Sequence, residues 1–150
     1  MKLAKKLITW LSVIGLIIWQ FPSGSVSTTE AGSMTGVSVT TSSSTKSASA
    51  NYTIKFTPAT NTQFANVNVK FLSPPDSQFD IGSVTLGTGS SSVFTEISNI
   101  ETQYGALGVN AGAMTAGTEY TIILNSITNP SKDGKYSIGV DTWGGFNSKV

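Results

Sequence analysis

The sequence predicts an all-β protein: a single antiparallel β-sandwich, Ig-like, with seven or eight strands, preceded by an N-terminal apolar signal or anchor helix. Three observations predict it. From residue 50 onward apolar and polar residues alternate with period two, as in strands buried on one face. The runs are short and are separated by Gly, Pro, Asn and Asp, the punctuation of sandwiches. The one Ala/Gly-rich stretch that could be helical, 104–117, carries glycines at 105, 108, 112 and 117. They would cost a helix roughly 3–4 kcal/mol against alanine.

The chain opens with Lys2, Lys5 and Lys6, followed by an almost wholly apolar run from Leu7 to Trp19 that stretches to Phe21. A basic start before a short apolar segment is the layout of a secretory signal peptide. Pro22 breaks the helix, and Ser25-Val26-Ser27 fits a small-x-small cleavage site, so residues 1–27 are expected to be a signal peptide cut after Ser27. The alternative is an uncleaved anchor, for which the run is short against the roughly 20 residues needed to span a bilayer. Either way the lysines stay inside and the remainder is exported. Membrane contact is expected only through this segment, if it stays uncleaved.

Residues 28–49 form a Ser/Thr-rich lead that is expected to be flexible, because Ser42-Ser43-Ser44-Thr45-Lys46-Ser47 has little apolar surface to bury. Within it Gly36-Val-Ser-Val-Thr alternates and could form a first strand. The sandwich domain is expected over 50–150. Tyr52, Ile54 and Phe56 alternate with Thr53, Lys55 and Thr57, and Val67, Val69 and Phe71 with Asn68 and Lys70. Pro74-Pro75-Asp76 ends that second strand. Ile81, Val84 and Leu86 mark a short third, and Val93 to Ile97 another. Leu107-Gly108-Val109 is a weak one. Glu119 to Ile127 is the strongest. Asn129 to Gly134 reads as a turn, and Lys135 to Thr142 returns with Tyr136, Ile138 and Val140 inward.

Composition narrows function. The chain has no Cys, no His and no Arg. That excludes disulfides, thiol nucleophiles and cysteine zinc sites, His-based triads, and bidentate Arg clamps on phosphate or guanine. Without Lys2, Lys5 and Lys6, six lysines face eight acids, about −2, so nucleic acid is not an expected partner. Carboxylates are the acid/base groups that remain. Asp76 and Asp80 lie four apart in one loop and could be half of a calcium site, but the Asp-x-Asp-x-Asp-Gly pattern is absent, and ordinary solvated turn carboxylates are the plainer expectation. Glu96 and Glu101 flank Asn99, without a sign of the cleft a glycosidase requires. Trp143-Gly144-Gly145-Phe146 could present an exposed aromatic patch to a partner, or Trp143 could close one end of the sandwich. No cofactor, metal or catalytic residue is expected. Trp143, Phe146, Asp76 and Asp80 are the candidate partner contacts.

Residues 50–142 resemble a loosely defined group of exported Ig-like or related β-sandwich surface proteins of candidate-phylum bacteria of the Saccharibacteria type. The segments that carry the resemblance are Ala50-Asn-Tyr-Thr-Ile-Lys-Phe-Thr-Pro-Ala-Thr, Val67-Asn-Val-Lys-Phe, and Ala116-Gly-Thr-Glu-Tyr-Thr-Ile-Ile-Leu-Asn-Ser-Ile-Thr-Asn-Pro-Ser followed by Gly134-Lys-Tyr-Ser-Ile. The resemblance implies export and a surface setting, and has no catalytic residues to transfer. This chain departs by ending soon after the return strand, whereas such proteins often continue toward a C-terminal anchor.

The expected function is therefore an exported, non-enzymatic β-sandwich module, extracellular or at the cell surface. Its role would be structural, adhesive or binding, and its partner a protein or glycan. Two alternatives stand beside it: a small carboxylate-dependent hydrolase or carbohydrate-active protein using Asp76, Asp80 or Glu96, and a subunit of a surface layer or filament joined by strand addition at a sheet edge.

Overall fold

Alternation with one apolar face per strand forces pairs of strands to turn those faces toward each other. The result here is two antiparallel sheets over one core. The structure, a computed structural model, describes residues 16–20, 27–29, 34–62, 65–74 and 76–144; at 16–20, 27–29, 65, 143 and 144 the description is of the backbone. The strands are β1 (Leu16–Gln20), β2 (Ser27–Thr29), β3 (Met34–Thr41), β4 (Ser49–Pro58), β5 (Ala65–Leu72), β6 (Thr85–Leu86), β7 (Phe94–Glu101), β8 (Ala106–Ala111), β9 (Tyr120–Thr128) and β10 (Lys135–Gly144). A single 3₁₀ turn, Thr102–Tyr104, joins β7 to β8. The larger sheet runs β2-β1-β10-β5-β8-β7 and the smaller β3-β4-β9-β6.

The core is one cluster fed by both sheets. Tyr52, Ile54, Phe56, Ile122 and Leu124 come from the smaller sheet, and Val67, Val69, Phe71, Leu107 and Val109 from the larger. Between the sheets Tyr52 meets Phe71 edge-to-face at 5.7 Å and Phe79 at 6.0 Å, and Phe79 meets Tyr136 at 5.5 Å, in the range of favourable aromatic pairs.

The structure departs from the expectations in four places. The end of the expected apolar helix is strand: Leu16–Gln20 pairs antiparallel with β10, from Leu16 opposite Gly139 to Gln20 opposite Lys135. Its two isoleucines and its Trp favour extended backbone. Residues 1–15 lie outside the described residues. Among the described residues no helix is long and apolar enough to cross a membrane.

Second, the strand inside the Ser/Thr-rich lead is a full member of the smaller sheet, with Met34, Val37 and Val39 buried. Third, the Ser42–Ser47 run is a held loop rather than a flexible one. Asn129 Nδ2 donates to the carbonyls of Ser43 (3.0 Å) and Thr45 (2.8 Å), and Ser47 N–H donates to Pro130 O. Fourth, Leu107-Gly108-Val109 lies inside the larger sheet between β5 and β7, while the strand expected over 81–86 shrinks to Thr85–Leu86. Ile81 and Val84 still bury their side chains, but from a turn in which Val84 N–H donates to Ile81 O.

Candidate functional site: a polar trough on the larger sheet

The outer face of the larger sheet carries the main concentration of interacting polar side chains among the described residues. On β5 the inward residues Val67, Val69 and Phe71 leave Asn66, Asn68, Lys70 and Leu72 on the opposite face. The register sets Asn68 against Gly108 and Lys70 against Ala106 on β8. In turn Gly108 faces Asn99, and Ala106 faces Glu101, on β7. Two small residues on the middle strand therefore lie between longer polar side chains on its neighbours. The result is a trough of about 440 Å³ with Ala106 and Gly108 at its floor, Asn68 and Lys70 along one wall, and Asn99 and Glu101 along the other. That volume falls within the ~300–1,000 Å³ of small-molecule sites.

One end of the trough is closed by a bridge across β8. Asn66 Nδ2 donates to Ser98 Oγ at 2.7 Å and to Asn110 Oδ1 at 3.3 Å. The bridge needs a glycine beneath it: a Cβ at Gly108 would stand 2.7 Å from Asn66 Oδ1 and 2.8 Å from Ser98 Oγ. Asn66 Oδ1 itself is buried with no hydrogen-bond partner among the described residues, an acceptor left without a donor. The walls are braced from outside. Asn68 Nδ2 donates to Asp141 Oδ1 (2.9 Å), Lys70 Nζ pairs with Asp141 Oδ2 (3.0 Å), and Asn99 Nδ2 donates to Glu101 Oε1 (2.9 Å). Each amide keeps further donor or acceptor capacity.

Next to the trough's Glu101 end the 3₁₀ turn raises Tyr104, 68% exposed, near Leu72, 41% exposed. They line a hollow of about 210 Å³ with Gln78 and Gln103. Gly105 holds this turn. It sits at φ +60°, and a Cβ there would lie 2.6 Å from the Phe71 carbonyl oxygen. The close approach is what lets Phe71 N–H donate to Gly105 O at 2.7 Å.

The candidate contacts named from the sequence are placed elsewhere or are undescribed. Asp76 is exposed and ion-paired with Lys132; the hydrogen bond from that ammonium, with its charge, holds the carboxyl below the usual carboxylate range. Asp80 is exposed, and its Oδ1 accepts from Gly82 N–H at 2.9 Å. The loop between them is anchored rather than free: Ser77 and Phe79 are buried, and Ser77 Oγ shares a hydrogen bond with Tyr136 OH at 3.0 Å. Glu96 sits on β7, accepting from Asn110 Nδ2 at 2.9 Å. Asp76, Asp80 and Glu96 thus each hold a different partner. Trp143 belongs to β10, where the backbone register sets it opposite Asn66. Phe146 lies outside the described residues.

In the sequence Asn68 and Lys70 read only as the polar phase of an alternating strand, and nothing in it singles out Asn66, Ser98 or Tyr104. The signal for the trough is a polar phase on β5 beside small residues on β8, and it becomes readable only once the two strands are known to be neighbours.

No family model matches the chain, and neither the curated proteins nor the solved structures yield a match to it. The class that fold and site define is an all-β protein of two antiparallel sheets with an amide-lined trough on one outer face.

Proposed function

We propose that this protein is an exported, non-enzymatic, Ig-like β-sandwich module that binds a cell-surface or extracellular partner through the outer face of its larger sheet. The trough is the observation that carries this reading. Its chemistry favours a neutral, polyhydroxylated partner such as a glycan. Carboxamides donate and accept side by side and match vicinal hydroxyls, and the exposed Tyr104 ring adds an apolar face beside them. The lysine of the trough, Lys70, is already engaged by Asp141, and the chain has no Arg, which disfavours a phosphate ligand. The separate engagements of Asp76, Asp80 and Glu96 favour binding over a carboxylate-driven hydrolase, which would need two carboxyls about one bond.

The Ig-like assignment rests on strand order. The smaller sheet has the A-B-E-D order of an Ig sandwich in β3-β4-β9-β6, and β5 and β10 stand where C and F would. The β6 strand precedes the β7–β8 hairpin, which departs from the Ig order. Export rests on the basic start and apolar run of residues 1–21.

Glycan-array binding of the exported protein tests the ligand. Retained binding by Asp76→Asn and loss of at least tenfold by Asn68→Ala and Asn99→Ala are expected. Binding unaffected by both trough variants would overturn the assignment of the site. Intact mass with cell fractionation tests export: a product found only inside the cell at precursor mass would refute it.

A further inference from the structure

Pairing of β5, β8 and β7 sets the polar side chains of the trough in rows, each roughly 7 Å further along the strands than the last. In the first row Asn66 lies opposite Asn110, and Asn110 opposite Glu96. The next row is Asn68, Gly108 and Asn99, and the one after it Lys70, Ala106 and Glu101. Past that row stand Leu72 and Tyr104, about their own hollow.

The rows are bonded in opposite ways. The first is tied across all three strands: Asn66 Nδ2 donates to Ser98 Oγ and Asn110 Oδ1, and Asn110 Nδ2 donates to Glu96 Oε1 at 2.9 Å. In the two rows that follow, every side-chain bond is made on its own side of β8. Lys70 and Glu101 have opposite charges and flank Ala106, yet they do not pair. Gly139 lies opposite Lys70 on β10 and offers no side chain, so Lys70 leans diagonally to Asp141, away from the trough. Glu101 is engaged by Asn99 of its own strand. Among the described residues the trough is therefore barred at Asn66 and unbarred from Gly108 toward Tyr104.

We propose that the trough reads the end of a neutral glycan chain, with the terminal sugar over Gly108 and Ala106 against the Asn66 bridge and the rest of the chain leaving past Tyr104. The inference rests on the reading of the trough as a glycan site and adds which part of the glycan it takes. Asn68 and Asn99 spend an amide N–H on their carboxylate partners, which leaves both amide oxygens to accept from sugar hydroxyls. The exposed Tyr104 ring gives the following sugar an apolar face to lie against. A sugar inside a chain carries a further residue where a terminal sugar has a free hydroxyl. At the barred end that residue meets the bridge, and passing it would unpair the bridging amides. Internal stretches are thus excluded by a barrier that chain ends never encounter.

The test uses an array on which neutral polysaccharides are printed beside their own short oligosaccharides, with the same sugars as soluble competitors of the exported protein. Short oligosaccharides are expected to compete at least tenfold better than the matching long polymer at equal mass of sugar, because they carry more ends. Asn66→Ala, which removes the bar, is expected to reduce that preference to less than threefold by admitting internal stretches. Competition that follows the mass of sugar rather than the number of ends in the wild type overturns the inference and leaves the trough a glycan site. An undiminished preference for ends in Asn66→Ala also overturns it, because the bridge is then not what stops the chain. If no neutral glycan binds in either form, the glycan reading of the trough falls, and this inference with it.

Discussion

Asn129 shows how one buried amide organises residues far away in sequence. It is almost fully buried, accepts from Tyr52 OH at 2.6 Å, and donates to two carbonyls of the Ser-rich loop. Replacing it with alanine removes three hydrogen bonds made by one buried side chain, each worth about 1 kcal/mol. Asn129→Ala is therefore expected to lower the unfolding free energy by about 3 kcal/mol in urea titration and to make residues 42–47 the first site of limited proteolysis. The same burial pushes the Tyr52 hydroxyl up to about 12, from its usual value near 10. The unfolded chain ionises Tyr52 from about pH 10 and the folded chain only near 12. The contribution is thus complete below about pH 10 and is lost as pH rises through about 12, a fall of about 2–3 kcal/mol. Comparing Tyr52→Phe with wild type at pH of about 8 and 12 isolates this from lysine titration: the wild type should lose about 2 kcal/mol more than the variant. None of this was legible in the Asn129-Pro130-Ser131 sequence, which reads as a turn and gives no hint that Asn129 points inward.

At the scale of elements, strict alternation identified β4, β5 and β10 almost to their ends, and broken alternation marks the bulges. In β3 the inward residues Met34 and Val37 are three apart, and the register shifts between Thr35 and Ser38, with Gly36 at φ +61°. In β9 Leu124 and Ile127 are three apart, and the extra residue sits at Ser126, φ +64°. In β7 the spacing recurs twice, Phe94, Ile97 and Ile100, with a shift in each interval. A three-residue step in a strand returns an apolar side chain to the core only if one residue is bulged out, so the step itself is the readable signal. The bulges of β7 also make the free edge of the larger sheet irregular, which discourages uncontrolled pairing there. The edge of the smaller sheet is treated differently. Beyond the two residues of β6, Ser90 Oγ and Ser91 Oγ accept from Ile123 N–H and Thr121 N–H, both at 2.9 Å, so hydroxyls stand in for a strand. The double variant Ser90→Ala with Ser91→Ala should cost about 2 kcal/mol, and amide exchange at Thr121 and Ile123 should rise while that at Ile54 and Ile122 stays slow. Gly105→Ala meets both a positive φ and the Phe71 carbonyl. It is expected to lower stability by more than about 2 kcal/mol and to displace Tyr104 from its place beside the trough.

For the molecule as a whole, the absence of cysteine leaves apolar packing to hold the two sheets together. The joint runs through Tyr52, Phe71, Phe79 and Tyr136. Phe79→Ala is expected to cost about 3–4 kcal/mol in thermal or denaturant unfolding, with the unfolding transition remaining a single step because both sheets share one core. What the sequence by itself determined is the class of fold, most strand positions and the chemistry that is excluded. Those follow from composition and from local alternation, which act within a few residues. The trough, the pinned serine loop and the strand that completes the larger sheet were decided by tertiary structure alone. Each depends on which strands become neighbours: Asn66 meets Ser98, Ser43 meets Asn129, and Ile18 meets Ser137 only after distant segments are brought into register. Register is set by the joint burial of both sheets, a property no single stretch of the chain carries.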